Sequence, residues 1–68
     1  MFRYRIELLE RRRLERGLSY ANIAAALGLH KVTVARTLQG LSSKPGTVKL
    51  LADYLDIEMG NLVKRTDD

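Results

Sequence analysis

Lys31, Val32, Ala35 and Arg36 fall within two helical turns of one another near the middle of the 68-residue chain. On a helix whose positions 34 and 38 point inward, all four face outward. Two of them carry cationic donors, and two carry only methyl groups. Lys31 and Arg36 can donate to guanine O6 and N7, while Val32 and Ala35 suit the methyl group of thymine. An outward-facing valine is the sharpest of these signals, because it neither favours a helix nor aids solubility. Its plain alternative is a small contact with another protein or with the Tyr20 ring. For the two cations the plain alternative is a solvated face. Thr33, beside them, either packs and caps locally or touches a phosphate.

Around this set lies a rim of residues suited to phosphate. Ser19, Tyr20 and Asn22 sit at the start of a helix, where backbone N–H groups and a positive dipole favour anions. Ser42, Ser43 and Lys44 lie in the loop after the central helix. Arg13 is a further candidate, within the run Arg11, Arg12, Arg13. Helical neighbours are about 100° apart, so that run cannot all face one way. His30 reads as a cap or turn residue. Phosphate contacts fix register without reading sequence, and they make binding fall with salt.

Charge and composition narrow the function classes. Residues 1–36 hold eight basic and three acidic side chains, net +5, whereas residues 37–68 hold four and five, net −1. A basic front with a near-neutral back suggests a one-sided polyanion surface. The chain has no cysteine and a lone His30, so neither a disulfide nor a thiolate or His-cluster metal site is expected. No paired carboxylates, glycine-rich phosphate loop or nucleophile elbow is visible, which argues against an enzyme. Asp53 and Asp56 read as ordinary surface acids. No cofactor, metal or small-molecule ligand is expected. A hydrophobic share of 46% with 29% charged residues suits a folded globule with one small core. No apolar run approaches the ~20 residues that span a bilayer. The opening stretch MFRYRIELLERRR lacks an apolar h-region and a small-residue cleavage site, so the cytoplasm is the expected compartment.

These side chains need elements to position them. Residues about 5–16 predict a first helix, with Ile6, Leu9, Arg13 and Leu14 on its inner side, stopped by Gly17. Ser19 caps a second helix, Tyr20 to Leu27, with Ile23, Ala24 and Leu27 inward. Gly28 ends it, Leu29 fills the turn, and a third helix runs from about Lys31 to Gln39 with Val34, Thr37 and Leu38 inward. After Gly40, LSSKPG is turn chemistry. A fourth helix spans about Thr47 to Leu55, with Val48, Leu51, Ala52 and Leu55 inward. A short fifth, about Glu58 to Val63, docks Met59, Leu62 and Val63. Residues 1–5 read as an arm or a short strand, and 64–68 as a disordered tail. The fold class is all-α, a bundle of about five short helices in one domain, residues 1–68.

Three residues at fixed offsets tie helices two and three together. Two helices crossing at roughly 90–120° need a small residue at the crossing, and Ala24 supplies it. The turn needs positive φ, and Gly28 supplies that. The second helix needs an aliphatic anchor facing the first, and Val34 fits. The helix-turn-helix then spans about residues 20–39.

GLSYANIAAALGLHKVTVARTLQG followed by KPGTVKLLADYLDIEMGNL resembles the lambda-repressor/Cro-like helix-turn-helix family of phage and bacterial regulators, over about residues 6–63. The resemblance implies a five-helix bundle that binds double-stranded DNA, usually as a symmetric dimer on a palindromic operator. The chain departs from the family pattern at three places. Tyr20 stands where relatives often carry a phosphate-binding Gln, although its hydroxyl can donate the same bond. His30 stands at an N-cap that is usually Ser or Thr. Leu38 stands where many relatives carry a Glu that pairs with the helix-one arginine, so Arg13 must swing out to phosphate or find another acid. The function so implied is a small phage- or prophage-type repressor, with helix three in the major groove. Candidate homodimer surfaces are the C-terminal region (Ile57, Met59, Leu62, Val63) and the arm (Phe2, Tyr4). The alternative is a protein-interaction module on the same fold, of antitoxin or anti-repressor type, whose mark would be a neutral or apolar face where this chain has Lys31 and Arg36.

Overall fold

A computed structural model describes residues 2–42 and 44–65. In chain order the elements are β1 (Phe2–Tyr4), α1 (Ile6–Glu15), α2 (Tyr20–Leu27), α3 (Lys31–Leu38), α4 (Pro45–Tyr54), α5 (Met59–Leu62) and β2 (Val63–Arg65). All five expected helices are present, and each puts at least one buried residue into a common core. That core comprises Leu9, Ile23, Ala24, Val34, Leu38, Val48, Leu51, Ala52, Leu55 and Leu62. Thr37 is fully buried with them, and its hydroxyl donates to the Thr33 carbonyl 2.9 Å away, so no polar atom is stranded.

The helix boundaries have local causes. Ser19 caps α2 reciprocally: its hydroxyl accepts from the Asn22 N–H at 3.0 Å, and its own N–H donates to Asn22 Oδ1. α4 begins at Pro45, two residues before the expected start. Proline is pre-set for the first helical position and loses no needed donor there, so the PG of the turn segment is the first turn of the helix. Where α4 ends, Asp56 takes a left-handed φ of 58°, and the Ile57 N–H reaches back to the Ala52 carbonyl at 2.9 Å. This is the usual glycine device for stopping a helix, here carried by an aspartate.

Two expectations are corrected. Leu14 is 63% exposed instead of inward. The core side of α1 is centred on Leu9, and one helical turn from it lie the half-buried Arg12 and Arg13. The Arg12 guanidinium donates to the Leu55 carbonyl at 2.7 Å. Arg16 reaches the Asp56 carboxylate at 2.9 Å. Arginines therefore hold α1 against the end of α4, and Leu14 is left on the far side.

The second correction concerns the chain ends. β1 and β2 form an antiparallel ribbon, with Phe2 opposite Arg65, Arg3 opposite Lys64 and Tyr4 opposite Val63. Of the two readings of the opening residues, arm or strand, the strand is the one seen. Lys64 and Arg65 belong to this ribbon and not to a disordered tail; residues 66–68 lie outside the described residues. The Arg5 N–H donates to the Leu62 carbonyl at 2.7 Å, which extends the tie into α5. The two candidate dimer surfaces thus meet each other. Leu62 is in the core, and Tyr4, Ile57 and Met59 pack against it; Val63, expected to dock inward on α5, instead pairs within the ribbon and is 37% exposed.

Candidate nucleic-acid interface

α2 and α3 are joined by the turn at Gly28, which has φ 69° and ends α2 in the left-handed conformation. The Leu29 N–H donates to the Ala24 carbonyl at 2.9 Å across this turn. Ala24 is 5% exposed and Val34 fully buried, so the crossing residue and the anchor sit where the offsets require. Fixing Val34, Thr37 and Leu38 inward turns the opposite side of α3 to solvent. Lys31, Val32 and Arg36 are exposed there, with Ala35 half-buried between them. Val32 is 66% exposed, the largest value among the large hydrophobic residues described. Gln39 at the end of α3 is also exposed. On a helix of 3.6 residues per turn it falls between Ala35 and Val32 in angle, one turn further along. That angular position is the signal that adds Gln39 to the outward set of Lys31, Val32, Ala35 and Arg36.

The rim divides into residues that face solvent and residues that do not. Lys44 is exposed and Ser42 half-buried; Ser43 lies outside the described residues. Thr33 is half-buried, and its carbonyl holds the Thr37 hydroxyl. The Ser19 hydroxyl donates to Asn22 Oδ1 at 2.7 Å, so its side chain serves the cap, while the exposed Asn22 keeps its amide nitrogen without a partner among the described residues. His30 is the N-cap of α3 in extended conformation and makes no capping hydrogen bond through its side chain.

Arg13 and Tyr20 are placed otherwise than expected. The Arg13 guanidinium pairs with the Glu10 carboxylate, donates to the Leu18 carbonyl at 2.9 Å and lies 4.4 Å from the centre of the Tyr20 ring. The Tyr20 hydroxyl donates to the other oxygen of Glu10 at 3.1 Å. Of the two outcomes open for Arg13, it has found another acid, three residues back on its own helix. The hydroxyl expected to reach a phosphate is spent on the same carboxylate. This closed cluster locks α1 to the start of α2.

The ion pairs sort the positive charge. Arg11 and Arg12 pair with Glu15, Arg13 with Glu10, Arg16 with Asp56 and Lys49 with Asp53. Among the described residues, Arg3, Arg5, Lys31, Arg36, Lys44 and Lys64 have no acid within ion-pair distance. Each arginine of the α1 run therefore has an acid within reach, although Arg11 and Arg12 share Glu15. The unmatched charge sits on α3, on the loop after it and on the ribbon.

A family model described as "Helix-turn-helix domain" matches residues 7–65. The chain belongs to the helix-turn-helix domain family. Such domains are DNA-binding modules whose second helix enters the major groove. Searches of curated proteins and of solved structures gave no significant match. In this helix-turn-helix domain, no helix among the described residues is long and apolar enough to cross a membrane. Nor do the described residues include a His, Cys, Asp or Glu group that could hold a metal ion.

Proposed function

We propose that this helix-turn-helix domain is a sequence-specific transcriptional regulator of the lambda-repressor/Cro-like type, which lays α3 in the major groove of double-stranded DNA. The observation that carries the reading is the exposed Val32, held outward on α3 between two cations that have no acidic partner among the described residues. Lys31 and Arg36 donate to guanine, and Val32 and Ala35 pack on thymine methyl groups. Asn22, Thr33, Ser42, Ser43 and Lys44, with the backbone N–H groups that follow Ser19, contact phosphates and set the register. Arg13 and Tyr20 support this surface from behind and do not touch DNA.

One domain of this size covers a half-site. Binding as a homodimer on a palindromic operator, with the two α3 helices about 34 Å apart, supplies the remaining affinity. Repression is the economical outcome, since a small protein bound over a promoter blocks polymerase without a further surface.

The test is selection from a randomised duplex pool at about physiological salt, with sequencing of the bound fraction. Enrichment of an inverted repeat supports a dimeric, sequence-reading regulator. Binding without enrichment sinks the base-reading roles of Lys31, Val32, Ala35 and Arg36. No binding at all moves the assignment to a protein-interaction module of antitoxin or anti-repressor type.

A further inference from the structure

The β1–β2 ribbon contains a conflict that the helix-turn-helix does not explain. Arg3 and Lys64 stand directly opposite each other in its register, and both are exposed. Like charges at directly opposed positions of an antiparallel pair repel and weaken it. Strand alternation puts them on the face away from Tyr4, which packs against the core. Arg5, exposed just beyond β1, adds a third positive charge. None of the three forms an ion pair among the described residues.

The position of the ribbon suggests what resolves the conflict. Arg3 lines a surface groove together with Gly40, Ser42 and Pro45, the residues that lead from α3 into α4. The groove thus runs from Arg3 to Ser42 and the start of α4, and the strand register sets Lys64 beside Arg3. One acid, Glu7, lines the same groove, and it is not within ion-pair distance of Arg3.

We propose that the β-ribbon is a second DNA-backbone anchor, with Arg3 and Lys64 holding phosphates next to those held by the loop after α3. The inference rests on the DNA-binding reading of α3 and extends the footprint beyond the helix-turn-helix. Phosphate oxygens between the two side chains replace repulsion by charge-assisted hydrogen bonds, which Arg3 can make in bidentate form. Because these contacts read no base edge, they strengthen binding to every duplex alike.

The test measures binding of the full chain to a mixed-sequence duplex by fluorescence anisotropy as salt is raised. Each lost phosphate contact lowers the slope of log affinity against log salt by about 0.9. The double variant Arg3→Ala/Lys64→Ala is therefore expected to lose about 1.8 from the slope. Its deficit against the unaltered chain then shrinks about twelvefold between about 50 and 200 mM salt. Lys49→Ala, which removes a paired charge on α4, should leave the slope unchanged. Arg3→Glu separates binding from folding: it places opposite charges across the ribbon, so the melting temperature rises while duplex affinity falls. An unchanged slope in the double variant overturns the proposal. So does an equal loss in Lys49→Ala, which would reflect net charge alone, or a fall of both stability and binding in Arg3→Glu. An unaltered chain that binds no duplex overturns the DNA-binding reading itself, and that outcome is visible before any variant is made.

Discussion

At the scale of single residues, two arginines of the same chemistry do opposite things. Arg36 has no acidic partner among the described residues and faces solvent, whereas Arg13 is 16% exposed at its side chain and committed to Glu10. Replacing Arg36 or Lys31 by alanine is expected to cost about 1–3 kcal/mol of binding at particular base positions. Surface truncations of this kind change folding stability by no more than about 0.5 kcal/mol, so urea titration should barely distinguish these variants from the parent. Glu10→Ala is expected to do the reverse. It strands a half-buried guanidinium and the Tyr20 hydroxyl together, and should cost roughly 1–3 kcal/mol of stability in the same titration. The outward-facing residues of α3 were legible in the sequence because an inward Val34 and Leu38 fix what must point out. The partner of Arg13 was not legible. An i,i+3 acid was present at Glu10, but the choice between it and a phosphate depends on Leu18 and Tyr20 closing over the guanidinium.

At the scale of elements, the turn after α2 and the start of α3 set the pose of α3. Gly28 has φ 69°, and a Cβ added there would meet nothing within 4 Å. Gly28→Ala therefore carries a purely conformational cost of about 1–2 kcal/mol, detectable as a lower melting temperature. His30 offers α3 no side-chain cap. His30→Ser should supply one and raise stability by about 1 kcal/mol, measured by urea titration. The five helices were legible from periodicity and stop signals to within a residue or two at most ends. Leu14 was misplaced because the core side of α1 is half arginine. Hydrophobic pattern alone cannot show that Arg12 faces inward to reach the carbonyl of Leu55. The ribbon was half legible: Phe2, Arg3 and Tyr4 alternate, but Val63, Lys64 and Arg65 form too short a run to declare a strand, and only the distant partner makes them one.

At the scale of the whole molecule, the acids of the chain are as informative as its bases. Each of Arg11, Arg12, Arg13 and Arg16 has an acid within ion-pair distance, with Arg11 and Arg12 sharing Glu15, so the positive surplus in the first half of the sequence is a poor guide to where unpaired cations lie. The surplus survives where acids are missing, on α3, its following loop and the ribbon. The ribbon also joins segments separated by nearly the full length of the described chain. An isolated two-stranded ribbon is marginal in water, so these three-residue strands depend on the packed helices beneath them. They should also be the first part to open. Hydrogen exchange is expected to give the backbone amides that hold β1 to β2 and α5 lower protection than those of α2 and α3. A bound duplex spanning the ribbon would then act as a clasp, slowing exchange most at the strands that are otherwise the first to part.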